Sequence, residues 1–231
     1  MHWTILEGKS MILEHERQLV VEYGRKVSQS GLTEGTSGNL SMANRSEGLF
    51  AISPSGMNYF EIQPEDVVVL NINDASLVDG LRKPSSEWAL HQAVYLAKPM
   101  ASAVIHTHSK FCTTLACMHQ AMVAVHYVIA SCGAARVECA EYATFGTKEL
   151  SENVVRGMHS ANAVLLANHG VVVCGRDLSG AFSLLGNMEY VAEIQWRTAC
   201  VGGAKVIDDV EMANILERFK TYGQPKKPTD E

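Results

Sequence analysis

No two cysteines in this chain have the CxxC spacing of a zinc ribbon or a thioredoxin-like site. Cys112, Cys117, Cys132, Cys139, Cys174 and Cys200 stand apart through the predicted elements. That scatter suits small core residues in a reducing, cytoplasmic compartment and excludes a disulfide framework. Apolar runs are short, none approaching the roughly 18 residues of a membrane-spanning helix. The opening Met1-His2-Trp3-Thr4 lacks the basic, apolar and small-residue succession of a secretory leader. Basic residues are in deficit, 19 against 25 acidic ones, for a formal net charge of -6. With no concentrated basic stripe, a nucleic-acid partner is not expected. A small anion is a different matter, since a few amide donors and one metal ion create local positive potential inside an acidic protein. No repeat or low-complexity linker divides the 231 residues. We therefore expect an extension over 1–10, one domain over 11–223 and a tail over 224–231. A chain of this length can bury roughly 70% of its extended surface.

What is present begins with Ala103-Val104-Ile105-His106-Thr107-His108, an aliphatic run ending in two histidines one residue apart. On a strand, side chains at i and i+2 share a side, so His106 and His108 can converge on one ion; on a helix they diverge. The same pair is also read as two hydrogen-bonded histidines at a strand edge. A second apolar strand, Ala163 to Ala167, ends in Asn168-His169-Gly170. Two such strand ends offer three nitrogen ligands to a divalent ion, with Glu87 the carboxylate able to complete the set. Glu87 can equally be a capping carboxylate at the start of the helix after Lys83-Pro84-Ser85-Ser86, with Ser85 or Ser86 as the cap. His91, four residues on, reads as a core or supporting histidine. Thr33 to Ser41, rich in glycine and hydroxyls, is an anion cradle or an ordinary turn. Pro54-Ser55-Gly56-Met57 turns the chain and presents a second group of donors.

Helical spacing from Met11, through Ile12, His15, Glu16, Leu19, Val20, Tyr23 and Val27, predicts a first helix stopped by Gly31. Short strands follow over 49–53, 67–72 and 76–79, an antiparallel tendency. Helices are predicted over 110–119 with Ser109 as a cap, from Thr147, over 177–200 and over 209–219. Val123 to Ile129 is ambiguous, strand turning into helix, with His126 and Tyr127 facing different directions. A short strand is expected over 136–139.

Thr36-Ser37-Gly38-Asn39-Leu40-Ser41, Ser53-Pro54-Ser55-Gly56, Pro84-Ser85-Ser86-Glu87-Trp88, His106-Thr107-His108, Tyr142-Ala143-Thr144-Phe145-Gly146-Thr147, Asn168-His169-Gly170 and Phe219-Lys220-Thr221-Tyr222-Gly223 occur in one order along the chain. In that ordered set the chain resembles the class II aldolase and adducin family. The resemblance implies a single-domain, three-layer α/β/α fold with a central, predominantly antiparallel sheet. It implies one divalent metal per subunit, usually Zn2+, on His106, His108 and His169. Glu87 matches the carboxylate that ligates the metal without substrate and then serves as acid/base catalyst. Asn39, Ser55, Gly56, Ser85 and Ser86 match the phosphate pocket. Tyr127 and Tyr222 match catalytic aromatic hydroxyls, and Phe145 matches a substrate-pocket aromatic. Tyr127 is expected from a neighbouring subunit of a homotetramer. The implied substrate is a small phosphorylated sugar, and the implied reaction is retro-aldol cleavage of L-fuculose 1-phosphate, or a related ketose 1-phosphate, to dihydroxyacetone phosphate and L-lactaldehyde or another short aldehyde. Related activities are pentulose-phosphate 4-epimerisation, sugar-phosphate dehydration and phospho-keto-acid decarboxylation; adducin heads are non-catalytic interaction domains. Glu141 stands where a proline is usual before Tyr-Ala-Thr-Phe-Gly, which puts the aldehyde preference in doubt.

Overall fold

Alternation along one strand organises the architecture. In β5 (Ala103–Thr107), Ala103 and Ile105 pack into one apolar cluster while Val104 packs into a second on the opposite side. All five residues of β5 are buried because both faces of the sheet are covered, which is why the strand reads as a continuous apolar run. The computed structural model describes residues 11–221. The 1–10 extension, the 224–231 tail and Tyr222 lie outside the described residues.

Eight strands form one sheet in the order β4-β3-β2-β1-β5-β8-β7-β6. They are β1 (Asn39–Asn44), β2 (Leu49–Ile52), β3 (Val68–Asn71), β4 (Leu77–Asp79), β5, β6 (Cys139–Ala140), β7 (Ala163–Leu166) and β8 (Gly170–Gly175). Every pairing is antiparallel except β6 with β7. One face carries α1 (Glu14–Gln29), α3 (Lys110–Cys117), α5 (Leu178–Ala199) and α6 (Asp209–Phe219); the other carries α2 (Trp88–Ala97) and α4 (Lys148–Gly157). This is the expected three-layer α/β/α arrangement. No helix among the described residues is long and apolar enough to cross a membrane.

Local chemistry accounts for four of the helix ends. Thr147, Asp177 and Asp208 cap α4, α5 and α6 by accepting from Leu150, Gly180 and Glu211 amides. Gly31, at φ 68°, follows α1, and the Leu32 amide returns to the Val27 carbonyl.

Several expectations need correction. On α1, His15 and Ile12 are exposed, and the inward position belongs to Arg17. Its guanidinium bonds the carbonyls of Ile12, Pro64 and Val67 and the Asp79 carboxylate, so a buried cation is satisfied. Ser109 occupies the N-cap of α3 but caps nothing; its hydroxyl donates to Glu189 at 2.7 Å. The Glu189 carboxylate also accepts the Phe111 and Cys112 amides, at 2.8 and 2.9 Å, and caps α3 from α5. Residues 123–126 form no strand, and a 3-10 turn over Tyr127–Cys132 replaces the anticipated α-helix. His126 and Tyr127 do not diverge, since their rings stack 4.7 Å apart. The expected strand over 136–139 is reduced to a Met122–Val137 bridge and the two-residue β6. All six cysteines are free, but Cys117 and Cys200 are exposed and are not core residues.

Candidate metal centre and adjoining cavity

His106 continues the Val104 side of β5, so it faces the layer containing α2 and α4, and His108 lies two residues farther on. Antiparallel register places Asn39 of β1 directly opposite His106. β7 turns into β8 through Ala167-Asn168-His169, with Asn168 in the left-handed region at φ 54°. Gly170 lets this turn close on β5: a Cβ there would lie 2.3 Å from the Thr107 carbonyl oxygen and 3.0 Å from His108 Cδ2. Gly38 does the same from β1, where a Cβ would meet the His106 carbonyl at 2.6 Å. Two chain segments are thereby packed against the end of β5.

The three imidazoles predicted as ligands come together. Nitrogens of His106, His108 and His169 all lie within 4.8 Å of one another, with His106 Nε2 and His108 Nε2 3.1 Å apart. Glu87 joins them, Oε2 at 3.3 Å from His106 Nε2 and Oε1 at 3.5 Å from His169 Nε2. His106 Nδ1–H donates to the Val171 carbonyl at 3.0 Å, leaving Nε2 as a lone pair aimed inward. Burial, reinforced by His169 and His108, holds His106 well below the ordinary imidazole range. Burial also lowers His108 and His169, while Glu87 opposes the shift in both. The His106 Nε2 lone pair therefore faces Glu87 Oε2, acceptor against acceptor, and Glu87 Oε1 is buried with no hydrogen-bond donor. A divalent cation resolves all of these contacts. Tetrahedral zinc with bonds of about 2.05 Å sets its ligand atoms about 3.3 Å apart, close to the spacings present here. The residues fit such an ion.

Glu87 is the N-cap residue of α2, just outside its first turn, and no side chain caps the helix. Ser85 Oγ instead accepts the Glu87 amide at 3.3 Å, while Ser86 makes no cap. A cavity of about 320 Å³ opens beside the imidazoles. Its walls include Asn39, Ser55, Gly56, Ser85, Ser86, Glu87, His108, Phe145 and His169. Of the residues expected in the phosphate pocket, all five line it. The Ser53–Gly56 and Lys83–Ser86 segments run side by side through a Pro54–Pro84 bridge and a Ser55 amide bond to the Lys83 carbonyl. Among the described residues no lysine or arginine lines the cavity, so the described wall offers an anion amides and hydroxyls. The Asn39 side chain is already committed, donating to Glu87 Oε2 at 3.1 Å and meeting His91 Nε2 at 2.5 Å.

Phe145 is 64% exposed and stands at the mouth with Tyr142, which sequence reasoning had not singled out. Glu141 leaves this loop anchored, its carbonyl accepting from Asn153 Nδ2 at 3.1 Å. Tyr127 is not part of the cavity wall in this chain; it is 52% exposed and its ring packs on His126 and Phe219. The support of Glu87 by Asn39 and His91 was also missed as a unit. Its signal was present as residues two apart on β1 and four apart on α2.

The family described as Class II Aldolase and Adducin N-terminal domain matches residues 18–196. A 5-deoxy-D-ribulose 1-phosphate aldolase from Bacillus thuringiensis serovar kurstaki is 44% identical over 214 residues, covering 93% of this chain and 100% of that protein. The L-fuculose phosphate aldolase of Escherichia coli K12 is 36% identical over 205 residues, covering 88% and 94% of the two chains. A solved structure of an L-fuculose 1-phosphate aldolase has a TM-score of 0.87 at 42% identity, over 89% of this chain and 96% of that one.

Proposed function

Because the chain belongs to the class II aldolase and adducin family, we propose that it cleaves the C3–C4 bond of a short, terminally deoxygenated ketose 1-phosphate. The observation that carries the reading is a cluster of three imidazoles, two of which, His108 and His169, line one cavity together with Glu87, whose Oε1 has no donor, and a shelf of hydroxyls and amides. Two substrates follow from the relatives. For 5-deoxyribulose 1-phosphate the products are dihydroxyacetone phosphate and acetaldehyde; for L-fuculose 1-phosphate they are dihydroxyacetone phosphate and L-lactaldehyde. The higher identity and full coverage of the deoxyribulose-phosphate relative favour the first, ahead of the fuculose substrate implied by the sequence motifs.

The phosphate is assigned to Ser55, Gly56, Ser85 and Ser86, with Asn39 at the inner end. His106, His108 and His169 would hold a divalent ion, for which we take zinc, and when bound it would supply Lewis-acid withdrawal of electron density from the ketose carbonyl. This chain's residues manage the protons. Tyr127, brought from the adjacent subunit of a homotetramer, accepts the proton of the C4 hydroxyl as C4 becomes the aldehyde carbon. The C3–C4 electron pair passes to C3, and Glu87, in its carboxylic-acid form at this step, delivers its proton there and becomes the carboxylate; the proton taken from the C4 hydroxyl balances the one delivered, and in the synthetic direction the carboxylate removes it. Phe145, with Tyr142, shields the aldehyde end from water. Tyr222, which matches a catalytic hydroxyl of the family motif, is assigned a catalytic role.

A metal-controlled screen of phosphorylated ketoses with mass-resolved products tests the reading. Dihydroxyacetone phosphate with a two-carbon aldehyde is expected from 5-deoxyribulose 1-phosphate, and with a three-carbon aldehyde from L-fuculose 1-phosphate. Interconversion of pentulose phosphates without aldehyde release would replace aldolase with epimerase. Loaded protein that transforms no phosphorylated sugar would leave the non-catalytic adducin-like role.

A further inference from the structure

Behind Glu87, side chains from α2 and β1 alternate in an unbroken hydrogen-bonded chain. Asn39 Nδ2 donates to Glu87 Oε2 at 3.1 Å, and Asn39 Oδ1 meets His91 Nε2 at 2.5 Å. His91 Nδ1 meets Ser41 Oγ at 2.7 Å, and Ser41 Oγ meets the Tyr95 hydroxyl at 2.6 Å. Helix period and strand period make the alternation: Glu87 at the N-cap of α2 and His91 and Tyr95 within it are four apart, while Asn39 and Ser41 are two apart on β1. All five are buried, His91 and Ser41 completely.

The directions of these bonds are determined from one end. An ionised carboxylate only accepts, so the Asn39 amide must turn its nitrogen to Glu87 and its oxygen to His91. His91 must then carry its proton on Nε2, which makes Nδ1 an acceptor for the Ser41 hydroxyl. Ser41 Oγ, having donated, accepts from Tyr95. Every proton points toward Glu87 Oε2, so successive bonds polarise one another in the same sense. Burial keeps the Tyr95 phenol above its ordinary range and pushes His91 down to about 3, with His106 adding to the second shift. Both groups therefore hold the neutral forms that this order requires.

We propose that His91 and Tyr95 are positioning residues that fix the rotation of the Glu87 carboxylate through Asn39 and Ser41. The inference rests on the acid–base role assigned above to Glu87. The relay tethers only Oε2, and Oε1 is left without a donor on the imidazole side. A carboxylate that faces a cation and also exchanges a proton with carbon needs such a one-sided tether. Without the His91 donor, Asn39 gains nothing from its present orientation. Its flipped amide sets oxygen against carboxylate oxygen and turns Glu87 away.

The experiment compares His91→Leu, His91→Gln and Tyr95→Phe with the parent, measuring kcat, KM and bound metal. His91→Leu should lower kcat about 10- to 100-fold, the usual cost of removing a hydrogen-bonding support, with KM for the ketose phosphate and metal stoichiometry retained. His91→Gln keeps an amide donor near the position of Nε2 and should restore most of the loss. Tyr95→Phe removes only the terminal donor and should show a smaller fall in kcat with metal unchanged. Independently of turnover, 15N spectra of the labelled parent should show His91 as the neutral Nε2–H tautomer. An Nδ1–H or doubly protonated ring would overturn the relay. So would unchanged kcat in both His91→Leu and Tyr95→Phe, or a loss of kcat matched by loss of metal. A parent that cleaves no ketose phosphate refutes the proposed function, while the spectrum still decides the relay.

Discussion

Replacing Gly170 by alanine tests whether the ligand geometry depends on backbone contact between two strand ends. The added Cβ would lie 2.3 Å from the Thr107 carbonyl oxygen, 3.2 Å from its carbon and 3.0 Å from His108 Cδ2. Carbon and carbonyl oxygen need about 3.3 Å, so the strand end must retreat by about 1 Å. The obstacle is backbone held in the β5–β8 ladder, with Thr107 paired to Val171, and cannot yield by a side-chain rotation. Overpacking of this kind costs about 1–3 kcal/mol. At about 2–4 °C per kcal/mol for a chain of this size, metal-free Gly170→Ala should melt about 2–12 °C below the metal-free parent. Metal occupancy should fall as well, because ligand distances tolerate only about 0.2 Å. Gly186→Ala is the control: nothing lies within 4 Å of its added Cβ, and the position is interior to α5. That change should raise stability by about 0.5–1 kcal/mol. Calorimetry of the metal-free proteins and elemental analysis after reloading give both readouts. Gly170→Ala with the parent's melting temperature and a full equivalent of metal would refute the packing argument.

Glu87→Gln should lower kcat about 10²- to 10⁴-fold in aldehyde release while phosphate binding, measured by calorimetry, changes little; equal turnover rejects the proton-transfer role. Acid should weaken the fold through His91. Its imidazole titrates near about 3 when folded, against an ordinary value of 6.5, so between these pH values the unfolded chain binds the proton and the native chain does not. Stability contributed by neutral His91 is present above the unfolded value and is lost as pH falls toward the folded one, at about 1.4 kcal/mol per pH unit. Denaturant titrations should therefore show the parent losing roughly 2 kcal/mol more than His91→Gln between pH 6.5 and 5; parallel losses would contradict this. Mixed oligomers of Tyr127→Phe and Glu87→Gln subunits should regain activity beyond either parent mutant if Tyr127 completes a neighbouring site. No recovery at any mixing ratio refutes that assignment.

The histidine set was legible because strand period is short-range information. Val104, His106 and His108 declare a common side within five residues, and Asn168-His169-Gly170 again sets a histidine just beyond an apolar strand, β7. The cap at Thr147 was local for the same reason. Glu189 was not readable as the partner of α3, since its amide donors lie 78 and 77 residues away. Arg17 illustrates the converse: its charge argued for solvent, yet carbonyls from residues 47 and 50 positions distant make burial tolerable. Asn39 matches the phosphate pocket by motif and lines the cavity, and its further hydrogen bonds to Glu87 and His91 become visible only once β1 and α2 are packed.

Glu189 carries a consequence for how the cavity can open. Its carboxylate gathers the Ser109 hydroxyl and the Phe111 and Cys112 amides, the residues immediately after His108. Swinging that wall outward would strip three donors of a charged acceptor at once. Across the gap, Tyr142 and Phe145 are more than half exposed. Breathing of the entrance therefore falls to the aromatic side, and the wall bearing the histidine stays still.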